Sequence, residues 1–180
     1  VNKMKILMLA GSAHRHGTSA ALADAFIKGA EEAGHEVYRF DAAFKKVHPC
    51  IACEKCHTGN DGCVFKDDME EVIPRLLAAD GVVLVSPIYY YNVSAQLKAV
   101  IDRFHAKGDE IHGPKKAAML LTMEDDTQES AEGALASFKG MTGYLGWKQV
   151  GTVAALACPN PEALQKTSYL TDAYNLGKSM

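Results

Sequence analysis

Short apolar runs that alternate with helical patterns most constrain how this chain folds. Ile6-Leu7-Met8-Leu9-Ala10 and Val82-Val83-Leu84-Val85 are unbroken apolar stretches of strand length, the pattern of strands buried on both faces. Strand-like segments run from Lys5 to Ala10, Glu36 to Phe40, Gly81 to Ser86, Ala117 to Thr122 and Val150 to Leu156. From Ser19 onward, Leu22, Ala23, Ala25, Phe26, Ala30 and Ala33 recur at helical spacing until Gly34 ends the helix. Asp67, three residues before Glu70, is a capping signal for a further helix; Ser94 caps one that continues through Ile101, and Pro161 opens a final helix to about Lys178. Such alternation predicts an α/β fold, a parallel sheet with helices on both faces. Right-handed crossovers leave few topologies for it. With 180 residues, 48% of them hydrophobic, the chain is expected to form one domain over residues 1–180.

The loop after the first strand, Gly11-Ser12-Ala13-His14-Arg15-His16-Gly17-Thr18-Ser19, reads as an anion holder. A strand-loop-helix unit delivers backbone N–H groups, hydroxyls and the positive end of a helix dipole to one point. Ser12, Thr18 and Ser19 supply neutral donors, Gly17 the turn, and His14, Arg15 and His16 positive charge without a fixed geometry. A monophosphate ester suits them. The nucleotide-hydrolysing loop is excluded by spelling, because Thr18 stands where its lysine belongs, and the dinucleotide loop because Ala13 stands at its middle glycine. The plain alternative is a Gly/Ser turn joining a strand to a helix.

Ligands of such sheets bind beyond the carboxyl ends of the strands, where strand order reverses. After the third strand comes Ser86-Pro87-Ile88-Tyr89-Tyr90-Tyr91-Asn92-Val93-Ser94. Three consecutive tyrosines cannot all face one core, so at least one is expected to be exposed at the sheet's edge. An aromatic face beside a phosphate loop suits a planar, conjugated ligand, and the loop amides suit its heteroatoms. The alternative is a tyrosine-rich loop packed on its own helix or on a partner subunit.

Gly-Ser-x-x-x-x-Gly-Thr-Ser after strand one and the run from Ser86 to Phe104 after strand three resemble the flavodoxin-like NAD(P)H-dependent FMN reductase and iron-sulfur flavoprotein families. The similarity extends through Asp67-Asp68-Met69 and Gly143 to Trp147, so it spans nearly the whole chain. The resemblance implies a flavodoxin-like three-layer sandwich, with a five-stranded parallel sheet in 2-1-3-4-5 order and FMN at the strand ends. It implies that Ser12, Thr18 and Ser19 hold the phosphate and that Pro87, Ile88, Tyr89, Tyr90, Tyr91, Asn92 and Val93 frame the isoalloxazine. Thr122 and Met123, after strand four, are expected to approach its other side. The family often has arginine where His14 stands; Arg15 is expected to compensate.

Cys50, Cys53, Cys56 and Cys63 fall within fourteen positions. Disulfides are not expected without an export signal, because the cytosol keeps thiols reduced. Cys53 to His57 also spells a c-type haem attachment site, which lacks its usual context. Zinc pairs normally stand further apart, whereas the compact run is closer to the ligand set of a [4Fe-4S] cluster. A cluster and a cluster-free structural loop both remain open on these residues. Cys158, after strand five, reads as a packing residue, and Asp102 and Arg103 as an ion pair or a solvated face.

The expected function is therefore electron transfer from NAD(P)H through FMN to a quinone, a flavin or another small acceptor, with no dedicated acid or base. The alternative is an electron carrier that pairs FMN with a [4Fe-4S] cluster and takes electrons from a ferredoxin-like donor. A phosphoacceptor signalling domain is disfavoured, since Gly11-Ser12 and Ser86-Pro87 stand where its acidic residues belong. The net charge of −3 argues against a nucleic-acid surface, and no apolar run reaches membrane-span length. A cytoplasmic protein is expected. The tyrosine-rich rim and the resemblance together imply a homodimer or homotetramer.

Overall fold

The computed structural model describes residues 2–58 and 62–180. Five strands form one parallel sheet: β1 (Lys5–Ala10), β2 (Glu36–Asp41), β3 (Gly81–Pro87), β4 (Lys116–Thr122) and β5 (Lys148–Ala155). They lie side by side as β2-β1-β3-β4-β5, the expected order. The helices in chain order are α1 (Thr18–Glu32), α2 (Lys55–Thr58), α3 (Met69–Ala78), α4 (Ala95–Asp102), α5 (Gly108–Ile111), α6 (Glu129–Leu145), α7 (Pro161–Gln165) and α8 (Tyr169–Lys178). Short 3₁₀ turns cover Ala42–Phe44 and Arg103–Lys107.

Side chains alternate across each strand, so β1 feeds two cores. Leu7 and Leu9 pack with Val82 and Leu84 against Met69, Val72, Leu97, Val100, Ala134 and Phe138, which come from α3, α4 and α6. Ile6, Met8 and Ala10 face the other way, with Val83 and Val85, onto Leu22, Phe26, Leu164 and Ala173 of α1, α7 and α8. This is why β1 and β3 read as unbroken apolar runs. The registers bring the strand ends level: Ala10 lies opposite both Asp41 and Val85, and Thr122 opposite both Pro87 and Ala155. The loops after β1, β3, β4 and β5 consequently rise from one rim of the sheet, on either side of the reversal in strand order.

Some boundaries differ from the sequence reading. β5 starts at Lys148 rather than Val150, because its exposed first residues pair through backbone alone: Lys148 with Lys116 and Gln149 with Ala117, before a bulge at Val150. The final helix is two helices. Thr167 Oγ1 donates to the Leu164 carbonyl at 2.6 Å and ends α7, a hydroxyl competing with the helical ladder. Gly34, at φ +90°, lies two residues beyond the end of α1, where a left-handed turn is required.

Candidate active site

The loop between β1 and α1 is held down by its neighbours. Gly11 N–H donates to the Val85 carbonyl at 2.8 Å, and its own carbonyl accepts from Ser94 Oγ at 2.7 Å. A Cβ on Gly11 would land on Ser94 Oγ and lie 2.7 Å from Leu97 Cβ, so only glycine lets the loop pass this close to α4. Ser94 is buried and also caps α4, accepting from Leu97 N–H at 3.3 Å. Its own N–H donates to Ser86 Oγ at 2.9 Å. Ser86 and Ser94 thus tie the phosphate-type loop to the tyrosine loop, a role the sequence reading had not separated from helix capping.

At the helix end, Gly17 is the N-cap of α1 and offers no side chain to its first N–H groups. Those groups lack partners within the helix, so they face the crevice as donors. Ser12 Oγ accepts from His14 N–H at 3.2 Å, shaping the turn beneath them. Ser19 is buried and shares a 2.7 Å hydrogen bond with Thr122 Oγ1, which joins the helix start to the end of β4. Arg15 lies elsewhere: its guanidinium stacks on the Phe44 ring at 3.7 Å, outside the crevice lining. His14, exposed, stands at the rim.

Ser12, His14, Gly17, Thr18, Ser19, Pro87, Ile88, Tyr89, Thr122 and Met123 line one crevice of about 420 Å³, a size usual for small-molecule sites. Ile88 N–H donates to the Thr122 carbonyl at 2.8 Å, which holds the β3 and β4 ends together. Asn92 and Val93 line an adjoining hollow with Tyr89, while Tyr90 and Tyr91 border neither. Tyr89 and Asn92 exchange backbone hydrogen bonds at 2.9 and 3.2 Å around a two-residue turn with Tyr90 at φ +47° and Tyr91 at φ +66°. Both φ values are positive, as in a type I′ turn, a place that favours Asn-Gly over two tyrosines. Tyr90 is 99% exposed. The crevice also includes Glu124 and the segment Cys158 to Pro161 beyond β5, which the sequence reading had not assigned to it. Its signal was Pro159-Asn160-Pro161, a turn at a strand's carboxyl end. Cys158 is buried and burial pushes its thiol pKa up, in keeping with a packing residue at the crevice wall.

The cysteines gather at a second place. Cys50, Cys53, Cys56 and Cys63 all line one small recess with Phe65, Arg103 and His105. Ala52 and Glu54 adopt left-handed conformations, φ +52° and +56°, so the chain folds back between successive cysteines. Burial pushes the Cys56 thiol pKa up, and Cys63, Glu54 and Cys53 add to the rise against a backbone hydrogen bond that opposes it. Four thiols around one recess, reached through a tight loop, suit the donor set of a four-iron cluster. Cys56, His57 and His105 also bring one donor atom each within 4.8 Å of one another, and His105 Nε2 lies 3.0 Å from Glu54 Oε1. Arg103 belongs to neither Asp102 nor the solvent: it pairs with Asp67 at 2.7 Å, while Asp102 pairs with Lys98 one helical turn away.

A family model described as NADPH-dependent FMN reductase matches residues 4–158. The chain belongs to that family. Among relatives of this chain, an iron-sulfur flavoprotein of Methanocaldococcus jannaschii is 41% identical over 103 residues, 57% of this chain and 52% of the relative. An iron-sulfur flavoprotein of Archaeoglobus fulgidus is 38% identical over 100 residues, 56% of this chain and 45% of the relative. The matches thus span about half the length of these curated relatives. Among solved structures, an NAD(P)H:quinone oxidoreductase from Methanothermobacter marburgensis superposes with a TM-score of 0.73 at 18% identity, covering 99% of this chain and 97% of that one. That likeness shows the flavodoxin-like fold.

Proposed function

We propose that this chain is an FMN-dependent oxidoreductase that passes electrons from NAD(P)H to a quinone, a flavin or another small acceptor. One observation carries the reading: the crevice at the strand ends joins the glycine-capped start of α1 to the edge of the tyrosine loop. FMN, when bound, supplies a ring that accepts a hydride and releases electrons singly or in pairs. The chain's own task is then to hold and shield that ring. The first N–H groups of α1, with Ser12 and Thr18, receive the phosphate, favoured by the helix dipole. Ser19 and Thr122 satisfy each other and brace the floor rather than competing for water. Ile88 and Tyr89 stand along one wall and Met123 along another, and the open side admits nicotinamide and acceptor in turn.

The test is FMN content after purification without oxygen, followed by NAD(P)H oxidation with added quinone. Flavin at one per chain and steady turnover support the reading; no flavin even after incubation with FMN removes it.

A second reading is favoured by the four thiols on one recess: an iron-sulfur flavoprotein, as the relatives are named, holding a [4Fe-4S] cluster at Cys50, Cys53, Cys56 and Cys63 and taking electrons from a ferredoxin-like donor. Iron and acid-labile sulfide at about four each per chain would support it, together with slow NAD(P)H turnover in the absence of a protein donor. Among the described residues, no helix is long and apolar enough to cross a membrane. On either reading we place the protein's work in the cytoplasm, as a homodimer or homotetramer.

A further inference from the structure

Arg103 is almost wholly buried, although it follows a surface helix. Its Nη1 donates to Asp67 Oδ2 at 2.7 Å and to the His48 carbonyl at 2.9 Å, and its Nη2 to Asp67 Oδ1 at 3.2 Å. The Asp67 carboxylate also accepts from His48 N–H at 2.9 Å and Met69 N–H at 3.1 Å. Its two oxygens therefore carry four hydrogen bonds, about their full capacity. The guanidinium does not exhaust its five donors on these partners, and it also lines the recess of the four cysteines. Asp67 supplies its counter-charge at 2.7 Å. Asp67 is absent from the recess lining. The pair is neutral as a whole, and its positive member, not Asp67, is the one that lines the recess.

We propose that Arg103, oriented by Asp67, is a positioning residue that sets the reduction potential of the group held by Cys50, Cys53, Cys56 and Cys63. The proposal rests on the iron-sulfur reading. A cluster gains one negative charge on reduction, and a fixed positive end beside a ligating sulfur stabilises that added charge, which raises the potential. Because Asp67 holds the guanidinium by two parallel bonds, the charge keeps its place in both oxidation states. Lysine cannot reproduce that fork.

The experiment compares wild-type protein with Asp67→Asn/Arg103→Gln and with Arg103→Lys, all purified without oxygen. Iron, sulfide and FMN are measured on each, then the cluster's midpoint potential by spectroscopically monitored redox titration. The expected result is retained cluster content and a midpoint shifted to more negative potential in the double variant, with a smaller shift of the same sign in Arg103→Lys. An unchanged or more positive midpoint with the cluster retained overturns the proposal and leaves the iron-sulfur reading standing. If the double variant does not fold, Arg103→Lys decides by the same criterion. Wild-type protein without iron and sulfide removes the reading, and the proposal with it. A merely structural role for the pair would lower stability or cluster content without moving the midpoint of the clusters that remain.

Discussion

At the scale of single residues, Asp67 carries more of the architecture than its place in a capping signal indicates. Its pKa is held below the ordinary carboxylate range: burial pushes it up, but the Arg103 hydrogen bonds, those from the His48 and Met69 N–H groups and the Arg103 charge outweigh that. A depressed folded-state value means stability that is complete above the unfolded pKa of about 3.9 and is lost as pH falls through the folded value. Acid below about pH 4 should therefore loosen the joint between α3, the His48 segment and the Arg103 turn. Asp67→Asn should cost about 3–5 kcal/mol at pH 7, because it leaves a buried guanidinium without its counter-charge. The difference from wild type should shrink in acid; denaturant midpoints measured at pH 7 and pH 3.5 check both, and an equal difference at the two pH values would contradict the assignment. Sequence reasoning put a capping signal at Asp67, whereas α3 begins at Met69 with Asp68 at its N-cap and no side-chain cap bond. It read Asp102 and Arg103 as an ion pair or a solvated face, and it could not join Asp67 to Arg103. The two are 36 positions apart, and nothing in local spacing reports a partner at that distance. Arg15 shows the same limit, since its stacking on Phe44 joins the loop after β1 to the 3₁₀ turn after β2.

At the scale of elements, β1 and β3 were legible because burial on both faces writes itself as unbroken apolar runs, whereas the order of the strands came only with the family resemblance. The helix α1 was legible through its periodicity, and its contact with α8 was not. A Cβ on Gly29 would strike the Tyr174 carbonyl, and one on Gly177 the Phe26 carbonyl, so the two helices cross backbone to backbone through two glycines. In the sequence those glycines look only like weak helix formers. Gly177→Ala should force α8 away from α1 and destabilise by about 1–3 kcal/mol. Gly140 supplies the control, for a Cβ there meets nothing within 4 Å. Gly140→Ala should stabilise by about 1 kcal/mol through helix propensity alone. Thermal midpoints moving in opposite directions would support the close crossing; two variants that shift alike would contradict it.

At the scale of the whole molecule, the rim at the strand ends combines local strain with exposed aromatic surface. Tyr90 and Tyr91 sit at positive φ, a conformation that costs about 1–2 kcal/mol for a residue with a side chain. They are 99% and 62% exposed, and Tyr89 beside them is 49% exposed. The Tyr89–Asn92 backbone pair closes the turn but leaves its rings exposed, and a second copy covering the rim would bury them, since each aromatic ring can bury roughly 150–250 Å². We therefore expect wild-type protein to scatter light as a dimer or tetramer at micromolar concentration. In Tyr90→Asn/Tyr91→Gly the turn gains residues suited to positive φ. The subunit should become intrinsically more stable and dissociate more readily, a combination that simple damage to the fold does not produce. Light scattering across a dilution series, with denaturant midpoints at one fixed subunit concentration, separates the two effects. Wild type that is monomeric throughout would sink the assembly reading. The exposed turn would then have to serve the open face of the crevice, and the same variant should show it as altered acceptor turnover with FMN content unchanged.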